Sequence, residues 1–519
     1  MNITIDKLLK FYLEKNRKNK LLNENNYIVT HEQLEIESNK MANYLISKGL
    51  KKNDRVALLV DLHISTIILI FGIIKVGGIY VPIDVNYPDE TVYRILESIE
   101  AKFIFYTSKY QNKMLPEIVE KIGVPFDDGE FTEYKEYSEA ELEYTSMPKD
   151  LVYIAFTSGT TGMPKGVMMS HISIMTFMDY VTRKMHHGVG VKSLCRTPVS
   201  FDPFLTELLP SVISGGQVYI QSRDASFRKL LKFIEKYRIT NFGCGPSLLY
   251  LFADNLETVK MYDISCIEEI YIGYEKCPVN IIKILQNEFP HITFFNGYGT
   301  TETFASSTFY PIENLNDYPD VIDIPLGKAI EGEKLIIVNE EGRECEIDEV
   351  GEIIIKGCSL FNGYWKNIPE TEKRLRVDPT FENGGEKVYF TGDLAVRRND
   401  NNIYFIGRKD EQVKIRGYRV ELGEIKYVIE QYNNIKECDL IYSNGHLYCF
   451  YNYYKQDENG LDIVKEICSK KLSPFKIPDK WIYLENFPRS SNGKILKKKL
   501  FDCIKNRLDN KTVEEKKSI

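Results

Sequence analysis

The alternation of short and long apolar runs sets the expectation for the fold. Arg55 to Val60, Ile79 to Ile83 and Lys102 to Tyr106 are short apolar runs, separated by the longer segments Ile64 to Val76 and Asp89 to Ile99. Short buried runs bounded by turn residues predict strands and the longer segments helices, so the order predicts a parallel sheet covered by helices. Ile64 to Ile74 is the most apolar window. It is about half the length a bilayer requires, and Lys75 followed by Gly77-Gly78 ends it, which predicts a buried core helix.

The alternation resumes further along, with helix near 170–185, strand 194–199, helix 205–214, strand 217–221, helix 225–237, and a strand and helix through Asn241 to Asn255. A second doubly wound layer accounts for it. Between about 320 and 407 the runs become short and β-rich (KLIIVN, GEIIIKG, KVYFTGD, NIYFIG), broken by Gly, Asn and Asp, and predict a small barrel-like subdomain. From 408 the chain turns charged and α+β, with ELGEIKYVIEQY as a helix and DLIYSNGHLYCFYNY as a hairpin on an Asn444-Gly445 turn. The expectation is therefore an α/β N-terminal domain, 1–409, of two doubly wound sheets plus a small β-barrel-like subdomain. A small mobile α+β C-terminal domain, 410–519, follows it. Residues 125–148, acidic and tyrosine-rich, read as a surface connection, and the last fifteen residues as a frayed polar end.

At 519 residues with 43% apolar side chains, more than one core is expected. The 67 basic and 74 acidic side chains give a net charge of −7, which leaves no electrostatic case for nucleic acid or an anionic membrane as partner. The ten cysteines have no CxxC spacing and no matching histidines, so they read as reduced thiols of a cytoplasmic protein rather than a metal site. The N-terminus, MNITIDKLLKFYLEKNRKNK, predicts an amphipathic helix and lacks the apolar core of a signal peptide.

The chemistry concentrates in residues 151–171, LVYIAFTSGTTGMPKGVMMSH. An apolar strand feeds a loop of hydroxyls, three glycines, a proline and Lys165, which presents backbone N–H groups, hydroxyls and one ammonium to a polyphosphate. A plain Ser/Thr/Gly surface loop has the same composition. A Walker loop is excluded by spacing, because Pro164 precedes the lysine and Gly166 follows it. Other polar clusters follow predicted strands: Asp202 in SFDPF, residues 296–302 (NGYGTTE), and Asp393 in TGD. Individually, Asp202 also reads as a helix N-cap, Tyr298 as core and Asp393 as a turn residue.

In series these stretches resemble the adenylate-forming superfamily, and most closely the amino-acid adenylation domains of nonribosomal peptide synthetases. The resemblance runs over nearly the whole chain. It begins with IKVGGIYVPIDVNYP (74–88) and continues through YIAFTSGTTGMPKGV (153–167), SFDPFLTELLPSVISGG (200–216), NGYGTTE (296–302), GEIIIKG (351–357), VYFTGDLAV (388–396) and GRKDEQVKIRGYRVELGEI (407–425) to SSNGKILKKKL (490–500). It implies that Thr157, Ser158, Gly159, Thr160, Thr161 and Lys165 hold the β- and γ-phosphates of ATP, and that Tyr298 stacks on adenine with Asn296 at its amino edge. Thr301 would meet the α-phosphate, Glu302 would bind Mg²⁺, Asp393 and Arg408 would hold the ribose, and Lys494 would act in the first half-reaction. The hinge between the domains would fall in Asp410 to Lys414.

Asp202 matches the aspartate that pairs with the substrate ammonium, so an amino acid is the implied substrate. The implied pocket lining is Pro203, Thr206, Gly243, Tyr271, Gly273, Gly297, Ala305 and Ser306, which carries no charge beyond Asp202 and fits an uncharged side chain. Pro203 after the aspartate, Tyr274 in a usually small turn and Thr300 in a usual proline position depart from the family pattern. With no carrier module in the sequence, the chain is expected to load a separate phosphopantetheine carrier protein, similar to D-alanine–carrier protein ligases. An acyl-CoA synthetase of the same fold and a non-catalytic nucleotide-binding regulator are the alternatives. Asp202 and the KIRGYRVELGEI form argue against the first, and Lys165, Glu302, Asp393, Arg408 and Lys494 against the second.

Overall fold

The computed structural model describes residues 4–110, 123–126, 131–143, 146–157, 164–273, 275–277, 279–317, 323–379, 385–409, 412–455, 459–489, 495–497 and 499–504. They form two compact units, the larger ending and the smaller beginning at residues 410–411.

In the larger unit, the short apolar runs become the strands of a six-stranded sheet. Gly123–Pro125, Phe103–Tyr106, Arg55–Leu59, Ile79–Pro82 and Leu151–Thr157 lie side by side in parallel, and Lys165–Ser170 closes the edge antiparallel. Parallel strands covered on both faces carry unbroken apolar runs, which is why these were legible. The helix Ile64–Val76 is buried along nearly all its length. Its Lys75 is enclosed as well, with the ammonium 2.8 Å from Glu35 and 2.8 Å from the Asn39 side-chain oxygen, so the charge enters the core already paired. No helix among the described residues is long and apolar enough to cross a membrane.

The second sheet has nine strands. Lys20–Glu24, Gln217–Ile220, Lys192–Cys195, Asn241–Cys244, Glu269–Ile272 and Thr293–Tyr298 run parallel, with antiparallel strands at both edges. The strand expected at 194–199 ends instead at Cys195; Arg196 and Thr197 leave the sheet to donate their backbone N–H groups to Glu207. A third, five-stranded antiparallel sheet takes up the β-rich segment: Glu333–Val338, Val350–Gly357, Lys387–Arg397, Leu375–Val377 and Ile403–Arg408.

Two expectations need correction. The strand Lys165–Ser170 was not foreseen; it pairs back on Leu151–Thr157, so the glycine loop joins two antiparallel strands. Residues 125–148 are more than a surface connection, because Phe126, Phe131 and Tyr134 pack as an aromatic cluster on Phe105 and Tyr44. Their rings remove far more apolar surface from water than the flanking acidic residues could suggest.

The smaller unit packs the helices Leu422–Ile429 and Gly460–Lys471 on the three-stranded sheet of Ile435–Ser443, His446–Tyr453 and Lys480–Tyr483. Its hairpin turns on Asn444 and Gly445, both at positive φ (50° and 76°), the geometry that selects this dipeptide. All ten cysteines are free thiols, seven of them buried.

Candidate active site

Asp202 and residues 296–302 follow parallel strands of the larger unit, at the carboxyl ends where open α/β sheets place ligands, whereas Asp393 lies within the antiparallel strand Lys387–Arg397 rather than in a turn after it. Thr293–Tyr298 ends in Tyr298, whose hydroxyl donates to Asp393 Oδ2 at 2.6 Å. The other Asp393 oxygen takes Arg408 Nη1, and Arg408 Nη2 donates to the Thr391 carbonyl at 3.2 Å. Asp393 and Arg408 are register partners on Lys387–Arg397 and Ile403–Arg408, so sheet pairing itself brings them together. Burial, then the neighbouring Asp393 charge, holds the Tyr298 phenol well above its ordinary range, so it remains a donor. The Asn296 amide, in contrast, is committed to the Pro325 carbonyl at 2.7 Å.

After Tyr298 the chain folds back on itself. A Cβ at Gly299 would sit 2.5 Å from the Ala305 carbonyl, so only glycine allows this closure. Phe304 and Ala305 take left-handed conformations (φ 49° and 63°), strained for residues with side chains. The turn just before them, Thr301–Thr303, buries Glu302 completely. Its Oε1 accepts from Tyr364 Oη at 2.6 Å.

Lys165 is also held inside. Its ammonium lies 2.8 Å from Glu370 Oε1 and 5.8 Å from the centre of the Tyr364 ring, rather than standing at the loop surface. Lys165, and more weakly Lys373 and Arg374, keep the Glu370 carboxyl below its usual range against the opposing effect of burial. Thr157 ends its strand beside Lys165, and its buried hydroxyl has no hydrogen-bond partner among the described residues. Ser158, Gly159, Thr160, Thr161, Tyr274, Asp410 and Lys494 lie outside the described residues. Lys414 is on the strand Gln412–Ile415 of the smaller unit.

Asp202 occupies the N-cap position of the helix Pro203–Ser214, but its side chain makes no capping bond; Pro203 starts the helix where its missing N–H costs nothing. The Asp202 charge faces two buried tyrosines, Tyr80 and Tyr153, register partners with rings 5.4 Å apart. Burial first and Asp202 second push both phenols up. One turn along the helix, Thr206 lines a cavity of about 40 Å³ with Gly243 and Tyr271. The Tyr271 hydroxyl bonds to Ser306 Oγ, and a Cβ on Gly297 would lie 1.8 Å from that hydroxyl, so Gly297 is the space the tyrosine needs. Gly273 is 3.4 Å from the same ring by that measure.

Of the foreseen pocket residues, Thr206, Gly243 and Tyr271 line this cavity, and Ser306, Gly297 and Gly273 stand against the Tyr271 side chain; Glu207 and His187, outside the foreseen set, line it as well. Glu370, Tyr364 and His187 lie outside the quoted motifs, and Tyr80, Tyr153 and Glu207 lie inside them without an assigned role, so only the tertiary fold marks all six.

The family described as AMP-binding enzyme matches residues 13–365. The chain belongs to it. Among curated relatives of this AMP-binding enzyme, gramicidin S synthase 2 of Brevibacillus brevis is 32% identical over 480 residues, covering 91% of this chain and 10% of the relative. Bacitracin synthase 2 of Bacillus licheniformis is 32% identical, covering 90% and 17%. The chain thus spans about a tenth to a sixth of the length of these relatives. A solved nonribosomal peptide synthetase protein containing adenylation and PCP domains superposes with TM-score 0.81 at 21% identity, over 96% of this chain and 84% of the other, and shares the fold. The AMP-binding enzyme is accordingly an adenylate-forming one, of the adenylation-domain type of nonribosomal peptide synthetases.

Proposed function

We propose that the chain activates an amino acid with ATP as aminoacyl-AMP and passes the aminoacyl group to the phosphopantetheine thiol of a carrier protein. The single observation that carries the amino-acid assignment is Asp202: a carboxylate one helical turn before Thr206, which lines the cavity, and not committed to a capping bond, where a substrate ammonium needs a partner. In the first step the substrate carboxylate bonds to the α-phosphorus, the bond to the bridging oxygen breaks, and pyrophosphate leaves with the electron pair. In the second, the carrier sulfur bonds to the carbonyl carbon, AMP departs, and the thiol proton passes to solvent.

No side-chain nucleophile is required, so the residues position groups and neutralise charge. Tyr298 offers a ring for adenine. The Asp393–Arg408 pair offers an acceptor and a cation for the ribose. Thr157 and Lys165 serve the outer phosphates together with Ser158, Gly159, Thr160 and Thr161, and Thr301 serves the α-phosphate. Mg²⁺ fits the donor set: the buried Glu302 offers one carboxylate, the kind of hard oxygen ligand Mg²⁺ uses when phosphates and waters supply the rest. Held there, the ion would neutralise phosphate charge. By the resemblance, 410–519 form a domain that turns about Asp410 to Lys414 and carries Lys494, which serves adenylation alone.

The test is ATP–pyrophosphate exchange across common α- and β-amino acids. Exchange dependent on one of them is expected, and none with any of them would overturn the proposal. Lys494→Ala should suppress exchange while transfer from supplied aminoacyl-adenylate survives; equal loss of both would refute the division of labour.

A further inference from the structure

Strand register shows how deep the cavity runs. Asn241 precedes Gly243 by two residues on one strand, and Glu269 precedes Tyr271 by two on the next, with Asn241 paired to Glu269 and Gly243 to Tyr271. Residues two apart share a face, at about 3.3 Å per residue, so Asn241 and Glu269 lie roughly 6–7 Å further from the strand ends than the foreseen pocket residues. Asn241 lines the cavity.

At this depth the polar groups are only partly satisfied. Glu269 is buried and accepts from His186 Nδ1 at 2.5 Å and from Asn241 Nδ2 at 2.7 Å. A carboxylate only accepts, so this bond fixes the amide's orientation: NH₂ toward Glu269, Oδ1 away from it. Asn241 is 2% exposed, and its Oδ1 has no hydrogen-bond partner among the described residues; neither has Nδ1 of His187, the next lining residue. Burial lowers His187 to about 4, so its ring is a neutral imidazole with one N–H and one acceptor nitrogen. The remaining lining polar groups are engaged. Glu207 accepts from the N–H groups of Arg196 and Thr197 and from Thr197 Oγ1, Ser193 bonds Ser211, and Thr206 donates to the Pro203 carbonyl. Phe177, Val181, Met185 and Leu194 complete apolar walls.

A hydrocarbon tail in this space would strand Asn241 Oδ1. An ammonium would bring three donors to at most two unmet acceptors. A hydroxyl or carboxamide suits both groups, donating to Asn241 and, with His187 as the Nδ1–H tautomer, accepting from it. We propose that Asn241 and His187 form a recognition floor below the pocket, and that the substrate is an amino acid whose uncharged side chain ends in a hydrogen-bond donor. This rests on the amino-acid activation proposed above. Glu269 is the positioning residue that orients the Asn241 amide.

The test is exchange kinetics on matched pairs differing in the terminal group: threonine against valine, tyrosine against phenylalanine, glutamine against norleucine. The enzyme should favour the donor-bearing member of the pair it accepts by about 5- to 150-fold in kcat/KM, the range for leaving one buried polar group unpaired. Asn241→Leu should remove most of that preference and raise kcat/KM for the hydrocarbon member. Its gain with the hydrocarbon is a readout that simple misfolding cannot produce. If Asn241→Leu fails to fold, His187→Leu decides, with a fall in preference of at least about fivefold expected. Exchange that favours the hydrocarbon member, or a preference unchanged in the folded variant, would overturn the recognition floor while leaving amino-acid activation intact. Absence of exchange with every amino acid would instead remove the activation on which it rests.

Discussion

Asp202→Asn separates the ammonium partner from everything else the residue does, because it keeps shape and removes charge. Asp202 makes no side-chain capping bond to the helix it precedes, so the roughly 1 kcal/mol of a lost cap does not enter. The melting temperature should move by about 2 °C or less. What disappears is a charge-assisted hydrogen bond to the substrate ammonium, about 1.5–3 kcal/mol for a group of this kind. Asp202 is half-buried, which screens it and favours the lower half of that range. Converted at about 1.4 kcal/mol per tenfold, the range is about 10- to 150-fold in kcat/KM. The assay is ATP–pyrophosphate exchange with the preferred amino acid and, in parallel, adenylate formation with its desamino analogue, followed by pyrophosphate release. The analogue has no ammonium to lose, so its kcat/KM should change by about twofold or less. Equal losses with both substrates, or a large fall in melting temperature, would show that Asp202 organises the site rather than pairing with the substrate.

Three further outcomes follow from buried charges. Burial pushes the Glu333 carboxyl up to about 8, so the folded state keeps a proton that the unfolded chain gives up near its ordinary value of 4.5. Its stability contribution is whole below 4.5 and is lost between 4.5 and 8, at about 1.4 kcal/mol per pH unit; Glu333→Gln should flatten the fall in melting temperature from pH 5 to pH 8, and parallel curves for the two proteins would refute this. Glu370→Gln removes the carboxylate 2.8 Å from the enclosed Lys165 ammonium, which should cost about 1–3 kcal/mol of stability, between an exposed and a fully buried pair. The same change releases Lys165 toward phosphate, so KM for ATP should fall while melting temperature drops, and a rise in KM would contradict the assignment of Lys165. Tyr298→Phe keeps the ring and deletes the 2.6 Å bond to buried Asp393, so it should cost about 1.5–3 kcal/mol in thermal unfolding. It should raise KM for ATP far less than Tyr298→Ala, and equal effects would show that the ring does not bear on adenine.

The fold was legible wherever burial on both faces writes unbroken apolar runs, as in Arg55–Leu59, Ile79–Pro82 and Phe103–Tyr106. It was less legible where pairing depends on a partner across a loop. Lys165–Ser170, KGVMMS, has no distinctive period, and only its register on Leu151–Thr157 makes it a strand. The same distinction divides the candidate site. Asp202, Tyr298, Glu302 and Asp393 stand in local motifs and could be named from sequence. Glu370 is 205 positions from Lys165, and Tyr364 is 62 from Glu302, so nothing near either cation or carboxylate announced its partner.

The pocket gives the sharpest form of this division. Residues at the mouth follow a positional pattern and predict an uncharged, mixed lining. Two residues deeper, the decisive property is the orientation of one amide, set by Glu269 from a neighbouring strand 28 positions away. An unmet acceptor is not a property of Asn241 as a residue type: a surface asparagine with the same flanking sequence would satisfy its oxygen with water. Selectivity for a donor-ended side chain therefore has to be sought at the floor, and substitutions confined to Thr206, Gly243 or Tyr271 should alter how large a side chain enters without reversing the choice between hydroxyl and methyl.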